Sequence, residues 1–394
     1  MNRNYPSSFI LAAKLLVLFL VIALAYLLQG VLVPVLFAVI FAITLYPLCC
    51  LLERWRFPRA AASIISVIVA TLVVSGIIYF IVSQVIVIGK NGEDIAKNFV
   101  NIYDSIQSFL ERKFGVAPGE LTNRLREEGQ NIISNAGRYL SAAFSSAGGT
   151  LANAVLVPLY IFFFLYYRDF FKDFFIRASP GLTPAKVLGT LAEIYEVIQS
   201  YLLGMGMVMG IVAILNTAGL LVLGLQYAWF FGTLAALLIL IPYIGIAIGS
   251  LIPALFALAT MDNYWYALGV IIWFQVVQFL EGNFITPNIV GGKVSLNPLV
   301  AIMSLLLGGM LFGLAGLILA LPLVASIKIL LNLDKSTQPF SFLIGEPEKY
   351  HVSRDSHEEL LRRYNVPPEE EAEAAKEAEE KMEGGEEGSL ENNS

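Results

Sequence analysis

Charged positions punctuate this chain at wide intervals, and those intervals set its predicted elements. No charged residue occurs between Lys14 and Glu53, Arg59 and Lys90, Arg138 and Arg168, Glu196 and Asp262, or Lys293 and Lys328. A helix needs about 20 apolar residues to cross about 30 Å of hydrocarbon. The first interval, extended back to Phe9, predicts two spans over 9–28 and 31–50, divided at Gln29-Gly30. The second and third predict one span each, over 60–88 and 150–167. Thr183-Pro184 reads as an N-cap followed by proline at the first helical position. A stripe of Leu188, Leu191, Tyr195 and Ile198 leads from there into a span over 200–223, and another span covers 264–285. The expected fold is all-α, a polytopic transmembrane helix bundle.

Two apolar stretches do not fit that simple scheme. Residues 229–259 are broken by Pro242, Tyr243, Ile244 and Gly245, and residues 298–331 by Gly313, Gly316 and Pro322. Each is too long for one crossing and short of two full ones. Half-helices meeting at membrane depth, as re-entrant hairpins or broken helices, are one solution. Pairs of proline-kinked spans joined by tight turns are the other. Irregular backbone at that depth persists only where protein or a wet cavity satisfies its polar groups. A pair of Gly/Pro-interrupted segments is also a pointer to a transporter's binding site. Pro287 and Pro298 add two further breaks beside these segments.

Composition then narrows the class. Hydrophobic residues make up 57% of the 394 positions and charged residues 14%, with a mean hydropathy of +0.72. Ordinary soluble domains carry about 25% charged residues, so a soluble globular enzyme is excluded. Cys49 and Cys50 are adjacent, which offers neither a disulfide framework nor spaced metal ligands. The histidines, His351 and His357, sit near the C-terminal end, away from the apolar part. There is no GxxxxGK[ST] loop and no basic soluble patch, so no cofactor, metal, ATP hydrolysis or nucleic-acid partner is expected.

Lysine and arginine in short loops orient the spans. Arg54, Arg56 and Arg59 occupy one loop, and Arg168, Lys172, Arg177 and Lys186 follow the span over 150–167. Both regions are expected on the cytoplasmic side of the cytoplasmic (inner) membrane, with the N- and C-termini. Ala23-Leu24-Ala25 behind Arg3 superficially fits a signal cleavage site. Apolar sequence continues on both sides of it, so the stretch is expected to remain a first helix. Four regions result: spans over 1–88, an extracytoplasmic helical segment over 89–149, a membrane core over 150–335 and an acidic tail over 336–394. The segment over 89–149 carries helical stripes (Ile95, Phe99, Ile102, Ile106, Phe109) that suit either a self-packed cap or a gating or oligomerising element. Phe170, Phe171, Phe174 and Phe175 around Lys172 and Asp173 suit a helix in the headgroup interface, within 170–186. After Pro367-Pro368 the tail is nearly all Glu, Ala, Lys, Gly and Ser, a composition that stays disordered. It is either a solubilising tail or a partner-binding one.

The candidate chemistry lies on the span over 264–285. Gln275, Gln278 and Glu281 form a slanting polar strip at steps of three. Polar side chains in a membrane helix are expensive and face a bundle interior or a wet cavity. Glu281 is a membrane-edge residue, solvated or paired with Lys293, or a ligand for a substrate or coupling ion, or a helix-to-helix hydrogen-bonding group. Glutamines offer neutral donors and acceptors, which suits an uncharged polyhydroxylated solute. Gly204, Gly206, Gly210 and Gly219 on the span over 200–223 read as helix-packing positions before substrate contacts.

These residues carry a family resemblance. Val33-Pro34, Tyr46-Pro47 and Phe57-Pro58-Arg59 resemble the opening of the AI-2E (autoinducer-2 exporter-like) transporter family. Phe164 to Asp169 is similar to that family's fourth-span end, and Ile241-Pro242-Tyr243-Ile244-Gly245 with Ile252-Pro253-Ala254 to its central motif. The most specific match runs from Gln278 and Glu281 through Pro287, Gly291, Leu296, Asn297 and Pro298 to Phe312-Gly313, Gly316 and Leu321-Pro322. Ile246 departs where many members carry proline, and Asn297 where most carry histidine, which weakens a proton-relay role for that position. The resemblance covers about residues 9–335. It implies export of a small signalling molecule or other organic solute, with sodium or lithium/proton antiport proposed for some members. It also implies a homo-oligomer, with a pentamer as the suggested form. Asn297 joins Gln275, Gln278 and Glu281 as a candidate substrate or coupling residue on this ground. Three functions are compatible: a secondary transporter of a small polar solute, which the residues favour, a Na⁺(Li⁺)/H⁺ antiporter cycling a proton on Glu281, and a non-transporting scaffold or sensor. Membrane lipid and a small-molecule solute are the expected partners, with Na⁺ or H⁺ for coupling.

Overall fold

The computed structural model describes residues 7–90, 151–241, 244–261, 263–290, 295–347 and 363. Residues 91–149 of the expected extracytoplasmic segment, Pro242, Tyr243, Gly291, Lys293 and nearly all of the acidic tail lie outside the described residues. The described chain is helical, with α1 Ser7–Leu27, α2 Gln29–Arg54, α3 Arg59–Lys90, α4 Leu151–Tyr166, α5 Arg168–Ala178 and α6 Pro184–Val222. These are followed by α7 Ala228–Leu238, α8 Ile244–Thr260, α9 Trp265–Leu280, a π-helical turn Glu281–Ile285, α10 Thr286–Ile289, α11 Pro298–Leu331 and α12 Gln338–Ile344. Five of these stretches are long and apolar enough to cross a membrane. Large hydrophobic side chains on their outer faces are exposed in the isolated chain, as expected where lipid is the solvent. This is a multi-pass, all-α membrane protein.

The first two predicted spans are joined differently from expectation. Only Leu28 separates α1 from α2. Helical bonds run through the junction, from Leu28 N–H to Leu24 C=O and from Leu32 N–H to Leu28 C=O, both 2.9 Å. Antiparallel helices are joined by loops of about 2–5 residues. The junction is therefore a bend in one helical path rather than a loop-joined turn at Gln29-Gly30.

At α6 the structure follows the residues. Thr183 takes extended backbone angles, and its Oγ1 accepts from the Lys186 N–H at 3.3 Å, with Pro184 at the first helical position. The amphipathic α5 buries none of its residues and exposes Phe170, Phe174 and Phe175, in keeping with an interfacial position.

The two broken stretches are helical hairpins. In the first, Phe231 of α7 stacks near Phe256 of α8, with ring centroids 4.9 Å apart. Nearer the break, Gly249 lies against Ala235, and Gly245 sits so close to Leu238 that an added Cβ would come 1.7 Å from its carbonyl oxygen. Paired positions thus move apart in sequence as they leave the break, the signature of antiparallel arms. α7 has 11 residues, about 16 Å at 1.5 Å per residue, too short to cross the hydrocarbon. In the second hairpin Gly313 leaves the helical region, with φ 60° and ψ −141°. Residues eight apart on a straight helix stand about 12 Å apart. Yet a Cβ on Gly316 would meet the Gly308 carbonyl oxygen at 1.8 Å, so α11 doubles back at Gly313. Both broken stretches thus fold back on themselves as helical hairpins, and the short α7 argues for a re-entrant first one.

Two packing regions result. Ala38, Ala42, Cys49, Leu52, Ala62, Val67, Ile161 and Leu165 join α2, α3 and α4. A larger cluster around Leu220, Phe230, Phe231, Phe256, Ala257, Val270 and Phe274 joins α6, the first hairpin and α9. Leu319 of the second hairpin packs between Ile40 of α2 and Ile198 of α6.

Candidate functional site

The site is built on the C-terminal end of α9. Four turns of apolar sequence carry Gln275 and Gln278 on the side facing α6 and α8. At Glu281 the α-helix widens into a π-turn. Five residues complete about one turn of such a helix, so the fifth residue onward returns to the same side. Thr286 therefore reaches Glu281, and its Oγ1 donates to Oε1 in a short hydrogen bond. From the preceding turn Gln278 Nε2 donates to Oε2 at 2.6 Å. Both carboxylate oxygens are satisfied by neutral donors, and Glu281 is 8% exposed. Among the described residues it forms no ion pair. Among the described residues the buried carboxylate is held by neutral donors alone, an unusual arrangement to maintain in a membrane helix.

Gln275 and Gln278 also line a narrow cleft that in this conformation has room for about one water molecule. Its walls are Val212 and Asn216 of α6, Ala235 and Ile239 at the end of α7, Gly245, Ile246, Gly249 and Ser250 of α8, and Phe274 and Val277 of α9. The first hairpin break thus meets the glutamine strip, as the broken stretch suggested. Ile239, Leu240 and Ile241 close the arm with single-turn bonds to Ala236, Leu237 and Leu238. Ser250 donates its hydroxyl to the Ala247 carbonyl at 3.2 Å, leaving its oxygen lone pairs available.

The other candidates lie elsewhere. Asn297 caps the second hairpin, its Oδ1 accepting from Leu299 N–H at 2.9 Å, while its own N–H donates to Ile344 C=O at 2.9 Å. Pro298 occupies the first helical position behind that cap, and Pro287 is the second residue of α10. Gly313, Gly316 and Pro322 shape the second hairpin, which packs on α2 and α6, and none of them lines the cleft. Pro242 and Tyr243 lie outside the described residues.

Three residues were missed by reasoning from the sequence: Asn216, Ser250 and Thr286. Asn216 is 3% exposed, and its Oδ1 has no hydrogen-bond partner. The signal for it was present, because Asn216-Thr217 is the one carboxamide-hydroxyl pair in the glycine-rich span. Thr286 gave no such signal, since a spacing of five points away from Glu281 on an ordinary α-helix.

Comparison with known proteins agrees with this architecture. The AI-2E transporter family matches residues 15–333, which includes every element from α2 to α11. The AI-2 transport protein TqsA of Escherichia coli is 23% identical over 78% of this chain and 87% of its own length. YueF of Bacillus subtilis, provisionally named a transport protein, is 30% identical over 53% of this chain and 55% of its own. YrrI from the same organism, named likewise, is 29% identical over 45% of this chain and 50% of its own. The chain thus spans about half the length of these last two relatives. A bundle with two helical hairpins, a polar strip beside one of them and a match that runs from the first bend to the second hairpin lead to one assignment: the chain belongs to the AI-2E family of membrane transporters.

Proposed function

We propose that this protein is a secondary transporter that exports a small, uncharged, polyhydroxylated organic solute, of the autoinducer-2 kind, across the cytoplasmic membrane. The observation that carries this reading is the meeting of a helical-hairpin break with Gln275 and Gln278 in one cleft. Broken helix ends leave backbone N–H and C=O groups free to act as ligands, and their partial charges point into the space between them. The side chains that add to them there are neutral, so they discriminate by hydrogen bonding rather than by charge. The name of TqsA supports the solute class.

A second reading has its own observation. Glu281 is buried and without a counter-charge among the described residues, which suits a carboxylate that binds Na⁺ or exchanges a proton with transport. The same residue then couples an ion to solute through Gln278, which touches both the cleft and the carboxylate.

Orientation follows from the paired turns. Glu53 and Arg168 are 2.6 Å apart and Arg59 and Asp169 are 2.9 Å apart, so both basic regions sit at one end of the bundle. The positive-inside rule supports a cytoplasmic location for that end, and the proposal puts the C-terminus on the same side. Homo-oligomerisation is part of the proposal, with Gly206 and Gly210 turned outward on α6 where nothing within the chain approaches them. Native mass spectrometry of the detergent-solubilised chain tests it, and a single-subunit mass counts against it.

Proteoliposomes loaded with autoinducer-2, with and without imposed pH and sodium gradients, separate the readings. Gradient-driven solute movement supports the exporter. Ion exchange without solute supports the antiporter. Neither activity leaves a scaffold.

A further inference from the structure

From the structure we infer that Asn216 is a solute-binding residue of the cleft, its carboxamide oxygen accepting a hydroxyl or amino hydrogen from the transported molecule. The inference rests on the transporter reading and deepens it, by naming a recognition group on a different helix from the glutamines.

Asn216 stands on α6 beside Thr217, in an otherwise apolar stretch. It is 3% exposed, and its Oδ1 is buried with no hydrogen-bond partner. Buried acceptors in folded proteins are almost always paired, so an orphan needs an explanation. Neither the adjacent Thr217 hydroxyl nor the Gln275 amide of the same cleft bonds to it, and other polar neighbours are engaged elsewhere. Trp273 spends its indole N–H on the Leu215 carbonyl at 3.1 Å, and Ser250 donates to Ala247 at 3.2 Å. Gln278 directs its Nε2 to Glu281 at 2.6 Å. The remaining neighbours in the cleft wall, Val212, Ala235, Phe274 and Val277, donate nothing.

Asn216 lines the same cleft as Gln275, Gln278 and the hairpin break at Gly245. In this conformation the oxygen is closed off from water, so a ligand reaches it only when the α7–α8 hairpin and α6 part. A group left unsatisfied in one state and satisfied in another shifts the balance between the states when its partner arrives. That is the behaviour required of a residue that reports solute occupancy. All the cleft's side-chain polar groups are neutral, which again selects an uncharged hydroxylated or amino-bearing solute over an anion.

Two variants of the full-length chain test this. Asn216→Leu keeps the branched shape and removes the acceptor, while Asn216→Ala removes it without any risk of crowding. A structural asparagine stabilises the empty protein, whereas an orphan acceptor destabilises it. The empty Asn216→Leu protein in detergent is therefore expected to melt at or above the wild-type temperature. In proteoliposomes with autoinducer-2 as probe, both variants are expected to lose at least tenfold in transport rate. A clear drop in the melting temperature of the empty Asn216→Leu protein overturns the inference, and so does wild-type transport by both variants. If the wild-type chain moves no autoinducer-2, the solute reading of the cleft fails instead. The melting comparison then decides the case for Asn216: unchanged or raised supports an orphan ligand group, and lowered overturns it.

Discussion

Where α2, α3 and α4 meet α5, opposite charges lie together: Glu53 with Arg168 at 2.6 Å, Arg59 with Asp169 at 2.9 Å, and Lys172 with Asp169 at 3.1 Å. The Arg168 guanidinium also lies over the Tyr46 ring, 5.1 Å from its centroid. Between α6, the first hairpin and α9 the polar groups are neutral except Glu281, whose two oxygens take neutral donors, and one amide oxygen has no partner at all. The first region binds three helices and a surface helix into one end. The second leaves polar groups unmatched beside a break in the backbone. Two guanidinium nitrogens of Arg59 in the first region are also buried without a partner, so what separates the regions is charge: opposite charges meet at one end, and neutral polar groups lie beside a backbone break in the other.

That contrast can be broken at either pole, and the largest effect is expected at the hairpin itself. Gly245→Val places side-chain atoms into the Leu238 carbonyl, which already lies 1.7 Å from an ideal Cβ. Backbone clashes of this kind cannot be relieved by a rotamer change, so we expect a loss of at least about 3 kcal/mol. Fluorescence-detected size exclusion after heating should show little folded protein. Gly189→Ala in α6, which meets nothing within 4 Å, should be neutral or stabilising by up to about 1 kcal/mol in the same assay. Equal behaviour of the two variants would remove the argument for a tightly closed hairpin.

Next in size is the paired region. Arg168 and Glu53 have side chains 18% and 24% exposed, so removing one partner strands the other. Arg168→Ala should cost about 2–3 kcal/mol of stability, and adding Glu53→Ala should cost less than the sum of the two single changes. Additive effects in that double-mutant cycle would show that the pair holds nothing together.

A smaller effect belongs to Asn297. As the N-cap of α11 its replacement by alanine should cost about 1 kcal/mol and leave the transport rate per folded molecule unchanged. A transport loss with intact stability would return Asn297 to the site.

The smallest concerns Asp169. Burial works to raise its carboxyl, but the hydrogen bond from Lys172 and the charge of Arg59 outweigh this and hold it below the usual carboxylate range. A lowered native value stabilises above the ordinary carboxylate range, and the contribution is lost as pH falls through the native value. The side chain is 61% exposed, so Asp169→Asn should cost at most about 1 kcal/mol at neutral pH and nothing in acid. Thermal melts at neutral and acidic pH check the sign.

Much of this fold was legible before any coordinates. Long charge-free intervals marked the spans, Thr183-Pro184 marked the start of α6, and glycine with proline marked both hairpins, because each reflects a local backbone or solvation requirement. What stayed hidden depends on contacts between distant segments. The charges of Glu53 and Arg168 were counted for topology, but their pairing joins positions 115 apart. The link at Leu28 carries no proline or glycine to distinguish a bend from a turn. In the site, Gln275, Gln278 and Glu281 were visible as a polar strip on an apolar helix. The partnership of Thr286 with Glu281 was not, since it needs the π-turn, and Asn216 matters only because α8 and α9 close around it.

The central claim is that the cleft beside the first hairpin, with Glu281 coupled to it through Gln278, moves solute. The most direct measurement is autoinducer-2 flux in proteoliposomes containing wild-type protein or Glu281→Gln, followed across a range of pH. Glutamine keeps the shape and removes the charge: its carbonyl oxygen still accepts from Gln278, while its NH2 group donates to the Thr286 hydroxyl in place of accepting from it. We expect at least a tenfold fall in flux, about 1.4 kcal/mol, with expression, assembly and melting temperature unchanged. Wild-type flux by Glu281→Gln at every pH would make the carboxylate a bystander and contradict its place in the site.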